Sequence, residues 1–281
     1  MSNEAWRPAI PTGREEALTE DFPGYLREAV FRWMQSQVTV TSSNIDSNKF
    51  VDFQNASRTD LGFKASTRLN WRGTVLTHLR TISDANFTNL LDYFASRSNF
   101  PRGQEHPLEL ILSDGGSAWT VSRWQTNSAR LVKRVPNGVQ EAVRGVLGAK
   151  DAASVKLQEA WLDAYGTNPR SSVAYSNAVV AVETAALSLI ETGKDEPTLG
   201  TVITVLEASN PRWRLVLRDN DKAPSAKSLA TMMRVLWRGH ASRHGRPDYT
   251  DATLEEARAA VILAATLVQW LTSGVVIPAE A

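Results

Sequence analysis

From Asp21 to Gln37 the apolar residues Phe22, Tyr25, Leu26, Ala29, Val30, Trp33 and Met34 recur at helical spacing, which predicts an amphipathic helix. Thr39 to Ser66 is rich in Ser, Asn and Asp and reads as loop with one short strand at most. Helical character returns from Gly73 to Ala95 through Val75, Leu76, Leu79, Ile82, Phe87, Leu90, Leu91 and Phe94, and the Ser96 to Gly103 stretch breaks it. Pro107 to Asp114 and Ser117 to Trp124 then flank Gly115-Gly116 and read as two strands around a turn, with Ala129 to Val135 as a third.

Pro136-Asn137-Gly138 punctuates the chain, and a domain boundary is placed there: residues 1–136 as an α+β region, residues 137–281 as a helical bundle. Helices are predicted near Val139 to Leu147, Ala152 to Tyr165, Ser171 to Glu191, Thr198 to Ala208, Ser225 to Ser242 and Thr253 to Thr272. In the third of these, Ala174, Ala178, Ala181 and Ala185 form a stripe of small residues that lets another helix approach closely. In the last, Leu254, Ala257, Val261, Ala264, Val268 and Leu271 step by three and four as a bundle seam does, and Thr253 with Glu256 makes a capping box. The fold class expected is α+β, predominantly α: a small helix-plus-antiparallel-hairpin region followed by an all-α bundle.

Composition narrows the chemistry. The 281 residues are 42% hydrophobic and 22% charged, as in ordinary globular proteins. With no cysteine, disulfides, zinc-thiolate sites and thiol nucleophiles are excluded. Met1 to Glu20 has no apolar stretch of the kind a signal peptide needs. The longest apolar run, Ala259 to Val268, is about half the roughly 20 residues of a membrane span, so a cytoplasmic protein without membrane contact is expected. Net charge is only +1, yet Glu207 to Arg246 holds Arg212, Arg214, Arg218, Lys222, Lys227, Arg234, Arg238, Arg243 and Arg246 against Glu207, Asp219 and Asp221. A solvated helix face and a phosphate-binding surface both fit that bias.

Inside this segment lies Trp237-Arg238-Gly239-His240-Ala241-Ser242-Arg243-His244-Gly245, with two of the four histidines of the chain. Imidazole exchanges protons near neutrality and arginine grips phosphate with a planar fork, so together they suit metal-free work on a phosphodiester. A histidine can take the proton of a ribose 2′-OH or protonate the leaving 5′-oxygen, while an arginine neutralises charge growing on the phosphate. DNA lacks that nucleophile. Gly245 and Pro247 also mark a helix end, where a histidine commonly just binds the last carbonyls.

The remaining candidates have structural readings. His78 is expected to pack, His106 is solitary before Pro107, Glu183 fits an ion pair or an arginine-orienting role, and Trp213 and Trp237 fit a core or subunit interface better than base stacking. The histidines lack paired ligand spacing and Asp114-Gly115-Gly116-Ser117 is no phosphate loop, so neither metal nor cofactor is expected.

The alanine-rich helix containing Tyr175-Ser176-Asn177-Ala178-Val179-Val180-Ala181-Val182-Glu183, the Arg-x5-His element from Arg238 to His244, and the closing helix from Glu255-Glu256-Ala257 through Trp270-Leu271 resemble the helical HEPN domain of abortive-infection (AbiJ-type) proteins. Gly116-Ser117-Ala118-Trp119-Thr120-Val121, Leu157-Gln158-Glu159-Ala160-Trp161 and Thr198-Leu199-Gly200-Thr201-Val202-Ile203 are similar to phrases in actinobacterial and phage proteins of that kind, extending the resemblance from Gly116 to the carboxyl end. The resemblance implies a metal-independent endoribonuclease in phage defence, completed across a homodimer and released by a phage or host protein trigger. Arg238, His244 and His240 would be catalytic, and Arg234, Arg243 and Arg246 would hold RNA. Arg234 to His240 has the same spacing, and Gly239 stands where the family carries a polar residue. Gly239 favours a second reading, a catalytically silent module that binds RNA or a protein partner, phage-encoded and acting in exclusion or immunity. A structural homo-oligomer built on the alanine stripe and the seam is the third.

Overall fold

The computed structural model describes residues 18–40, 45–64, 75–98, 100–101, 104–122, 128–238 and 250–279. The fold is α+β and predominantly α, and the chain divides into two compact units, Met1–Arg134 and Val135–Ala281.

In the first unit α1 (Gly24–Val38) buries Leu26, Val30, Phe31, Trp33, Met34 and Val38. The polar stretch expected to be loop contains α2 (Asn48–Ser57), because Phe50 and Phe53, one turn apart, are both buried. Left-handed Arg58 ends α2 at φ 53°. Gln54 of α2 pins the chain beyond that end: its Oε1 accepts from the N–H groups of Leu61 (2.9 Å) and Phe63 (2.8 Å), and its Nε2 donates to the Phe63 carbonyl at 2.9 Å. The helical stretch expected from Gly73 to Ala95 holds two helices, α3 (Leu76–Thr81) and α4 (Asp84–Arg97), since the Ser83 hydroxyl accepts from Asn86 N–H and starts a new helix.

Pro107–Asp114, expected as a strand, is helix α5. Pro107 occupies its first turn, and the buried Leu108 and Leu112 are one turn apart, while Leu110, the residue an alternating strand would bury, is 48% exposed. The antiparallel pair is instead β1 (Trp119–Ser122) with β2 (Arg130–Lys133), in the register Trp119 opposite Lys133 and Ser122 opposite Arg130. Gly116, at φ 65°, lets the chain leave α5 for β1. Two carboxylates fasten this ladder. Glu109 of α5 accepts from Val121 N–H (2.6 Å) and Thr120 Oγ1 (2.9 Å), and Asp92 of α4 accepts from Leu131 N–H (2.7 Å) and the Arg130 guanidinium (2.9 Å). The core of this unit is rich in aromatic rings, with Phe22 and Phe31 edge-on to Phe87 at 5.0 and 5.6 Å.

The second unit follows the predicted helices closely: α6 (Asn137–Gly148), α7 (Ala152–Tyr165), α8 (Ser171–Leu189), α9 (Leu199–Leu206), α10 (Ser225–Arg238) and α11 (Leu254–Thr272). Two short strands, β3 (Trp213–Leu215) and β4 (Val276–Pro278), pair antiparallel, so this unit is not wholly helical. α8 packs against α7 and α11. By length and composition it is apolar enough to cross a membrane, but Ala174, Ala178, Ala181 and Ala185 are all buried. The seam residues Ala257, Val261, Ala264, Val268 and Leu271 of α11 are buried too, and the Thr253/Glu256 capping box forms, with Thr253 N–H to Glu256 at 2.8 Å and Glu256 N–H to Thr253 at 3.1 Å.

Candidate functional site

Of the predicted site residues, Arg234 and Arg238 stand one turn apart on α10, whereas His240, Arg243, His244 and Arg246 lie outside the described residues. Arg238, in the last described turn of α10, is exposed. Arg234 is half-buried and ion-paired with Glu207, which removes much of its charge from any ligand.

The start of α10 is built by a short polar network. Leu215 N–H of β3 donates to Ser225 Oγ (3.1 Å), while Ser225 donates through N–H (2.7 Å) and Oγ (3.2 Å) to the Asp219 carboxylate. Asn220 Oδ1 accepts from the N–H groups of Lys222 (3.1 Å) and Ala223 (3.0 Å). Two of the segment's three acids, Glu207 and Asp219, are therefore engaged. Arg212, Arg218, Lys222, Lys227 and Arg238 are exposed and have no ion-pair partner among the described residues.

Two contacts fix the other end of α10. A Cβ on Gly200 would lie 2.8 and 2.9 Å from the Trp237 ring, so the missing side chain on α9 is what admits the indole. α9 is itself held by Glu183 of α8, whose carboxylate accepts from Leu199 N–H at 2.6 Å. In the second contact the buried Tyr175 hydroxyl donates to the Leu236 carbonyl at 3.1 Å. Burial first, and the nearby Glu256 carboxylate second, push the Tyr175 pKa upward, so the hydroxyl stays a protonated donor.

Beyond residues 239–249, α8 holds the chain again. Ser172 Oγ donates to Asp251 Oδ1 (2.7 Å) and accepts from Ala252 N–H (3.1 Å), immediately before the α11 capping box. Ser172 and Tyr175, three residues apart at the start of α8, thus tie down the chain on both sides of residues 239–249. Sequence reasoning misses both roles. Tyr175 enters it only as part of a phrase and Ser172 gives no signal, because both bonds reach partners 61 or more residues away.

The other candidates have structural places. His78 Nε2 donates to the Leu61 carbonyl, and the ring lies edge-on to Phe63 at 4.8 Å. His106 is buried and caps α5, with Nδ1 accepting from Leu108 N–H (3.2 Å) and Nε2 bonded to Ser98 Oγ (2.8 Å). Glu183 caps a helix instead of orienting an arginine. Among the described residues no group of three or more His, Asp or Glu side chains is placed to hold a metal ion. The chain matches no family model, no curated protein and no solved structure.

Proposed function

We propose that this chain is a metal-independent endoribonuclease of the HEPN type, cytoplasmic and acting as a homodimer in phage defence. The observation that carries the reading is the setting of Arg238: exposed at the end of a helix fixed by two contacts, one turn from an Arg234 that Glu207 already engages, in a segment where Arg212, Arg218, Lys222 and Lys227 are exposed as well. Such a guanidinium is free to neutralise a phosphodiester as its charge grows. His244 and His240 then serve as base and acid. One takes the 2′-OH proton as that oxygen attacks phosphorus, the other protonates the departing 5′-oxygen, and a 2′,3′-cyclic phosphate remains. Arg243 and Arg246 join the exposed cations in holding the RNA backbone, with Arg234 contributing less because of Glu207.

The test is incubation of the protein with total RNA in EDTA, beside Arg238→Ala and His244→Ala variants shown to be equally folded. Cleavage by the parent alone, leaving cyclic-phosphate ends, is the expected result. Cleavage undiminished in both variants overturns the assignment. Gly239, where the family has a polar residue, favours the second reading of a silent module that binds RNA or a protein partner. RNA bound with a steep salt dependence but left intact, with and without extract of infected cells, would establish that reading.

A further inference from the structure

The first unit contains a cavity of about 240 Å³ walled by the end of α1, the start of α2 and the last turns of α4. Its polar lining falls into two groups. Gln37, Asp46 and Lys49 are engaged within the protein: Gln37 Nε2 donates to Ser36 Oγ at 3.0 Å, Lys49 Nζ donates to the Gln37 carbonyl, and Asp46 Oδ1 accepts from Asn48 N–H at 3.1 Å. The Asp52 carboxylate, the Tyr93 hydroxyl and the Arg97 guanidinium have no hydrogen-bond or ion-pair partner among the described residues. Asp52 and Arg97 carry opposite charges into one cavity, from α2 and α4, and do not pair with each other. The guanidinium stands 5.4 Å from the centre of the Tyr93 ring, and buried Phe94 supplies an apolar wall.

Charge and size together select the ligand. A simple anion would meet Asp52 and Asp46, and a simple cation would meet Arg97 and Lys49, so each would be repelled by half of the lining. A molecule bearing one ammonium and one carboxylate satisfies both halves. At roughly 30 Å³ per water the space equals about eight water molecules, room for a ligand of about a dozen non-hydrogen atoms and too little for a nucleoside triphosphate. We propose that this cavity is a binding site for a free α-amino acid with an apolar side chain. The carboxylate receives the Arg97 fork and the Tyr93 hydroxyl, the ammonium donates to Asp52, and the side chain lies against Phe94.

Titration calorimetry of the full chain with L-leucine and L-phenylalanine tests this, using the N-acetyl acids (anion only) and the amino-acid amides (cation only) as controls. Saturable binding of a free amino acid is expected, weakened about ten-fold or more when either charge is blocked. Asp52→Asn should weaken the free amino acid by a similar factor while leaving the N-acetyl acid unaffected. Arg97→Met should do the same with the amide as the insensitive control. Circular dichroism checks that both variants fold, as substitution of two exposed side chains should permit. Absence of binding at millimolar concentration, blocked derivatives that bind as tightly as the free amino acids, or variants that bind unchanged would each overturn the proposal.

Discussion

The two units solve the same problem with different materials. The first is filled by large rings, Phe22, Phe31, Phe50, Phe53, Phe87 and Phe94, and its short ladder is fastened by carboxylates reaching from helices. The second is centred on α8, which buries five alanines beside Tyr175, Val179 and Val182, so helix backbones approach closely along the alanine stripe. Ring packing dominates the first core, and close approach of helices sets the packing around α8 in the second. They should therefore fail to opposite kinds of substitution, the first to loss of volume and the second to its gain.

Phe87→Ala breaks this contrast most directly. It removes the ring that Phe22 and Phe31 meet edge-on and should cost about 3–5 kcal/mol, read from urea unfolding. Ala181→Leu makes the reverse test. Adding three carbons to a fully buried position on α8 should cost about 1–3 kcal/mol, although it enlarges an apolar side chain; a stabilised variant would show that the helices leave room beside the alanine stripe.

The contrast also explains what is legible in the sequence. Long helices with a strict period, α7 and α11 above all, announce themselves, because burial of one face imposes spacing that local inspection detects. The alanine stripe and the Thr253/Glu256 box are readable for the same reason. Pro107–Asp114 misleads because a leucine-rich run eight residues long satisfies strand and helix alike, and the deciding fact, which leucine is buried, is tertiary. α2 is hidden because only Phe50 and Phe53 mark its buried face among polar residues. β3 and β4, three residues each, are too short to show any period and meet only through distant pairing. Around the candidate site, Arg238 is legible as a residue type in a cluster. The contacts that fix its helix, from Tyr175, Glu183 and Gly200, are not, since nothing in the local sequence of each names its partner.

Smaller effects sharpen the comparison. Tyr175→Phe keeps the ring and deletes only the bond to the Leu236 carbonyl, and should cost about 1 kcal/mol in thermal or urea unfolding. In the RNA assay it should lower kcat more than it raises KM if the end of α10 positions a reacting group.

The smallest effect concerns Asp151, which caps α7. Burial pushes its pKa upward, but hydrogen bonds from the Ser154 hydroxyl and N–H outweigh that and hold it below the ordinary value of 3.8. A lowered folded value means that its contribution is complete above 3.8 and is lost as pH falls through the lower value. Asp151→Asn keeps the cap but cannot titrate. Parent and variant should therefore unfold alike near neutrality and differ slightly in how they respond to acid below about pH 4, solvent screening of the exposed carboxylate keeping the effect small, as measured by urea midpoints across that range.

The alanine face of α8 has a further, calorimetric consequence. Alanine has no rotamers to surrender, so burying Ala174, Ala178, Ala181 and Ala185 orders the helix without side-chain entropy loss. Each also withdraws little apolar area from water, so this contact adds little to the heat capacity of unfolding, whereas the phenylalanine core of the first unit adds much. The free energy of this helix contact should accordingly vary less steeply with temperature than that of the phenylalanine core, in the half of the molecule that carries Arg238.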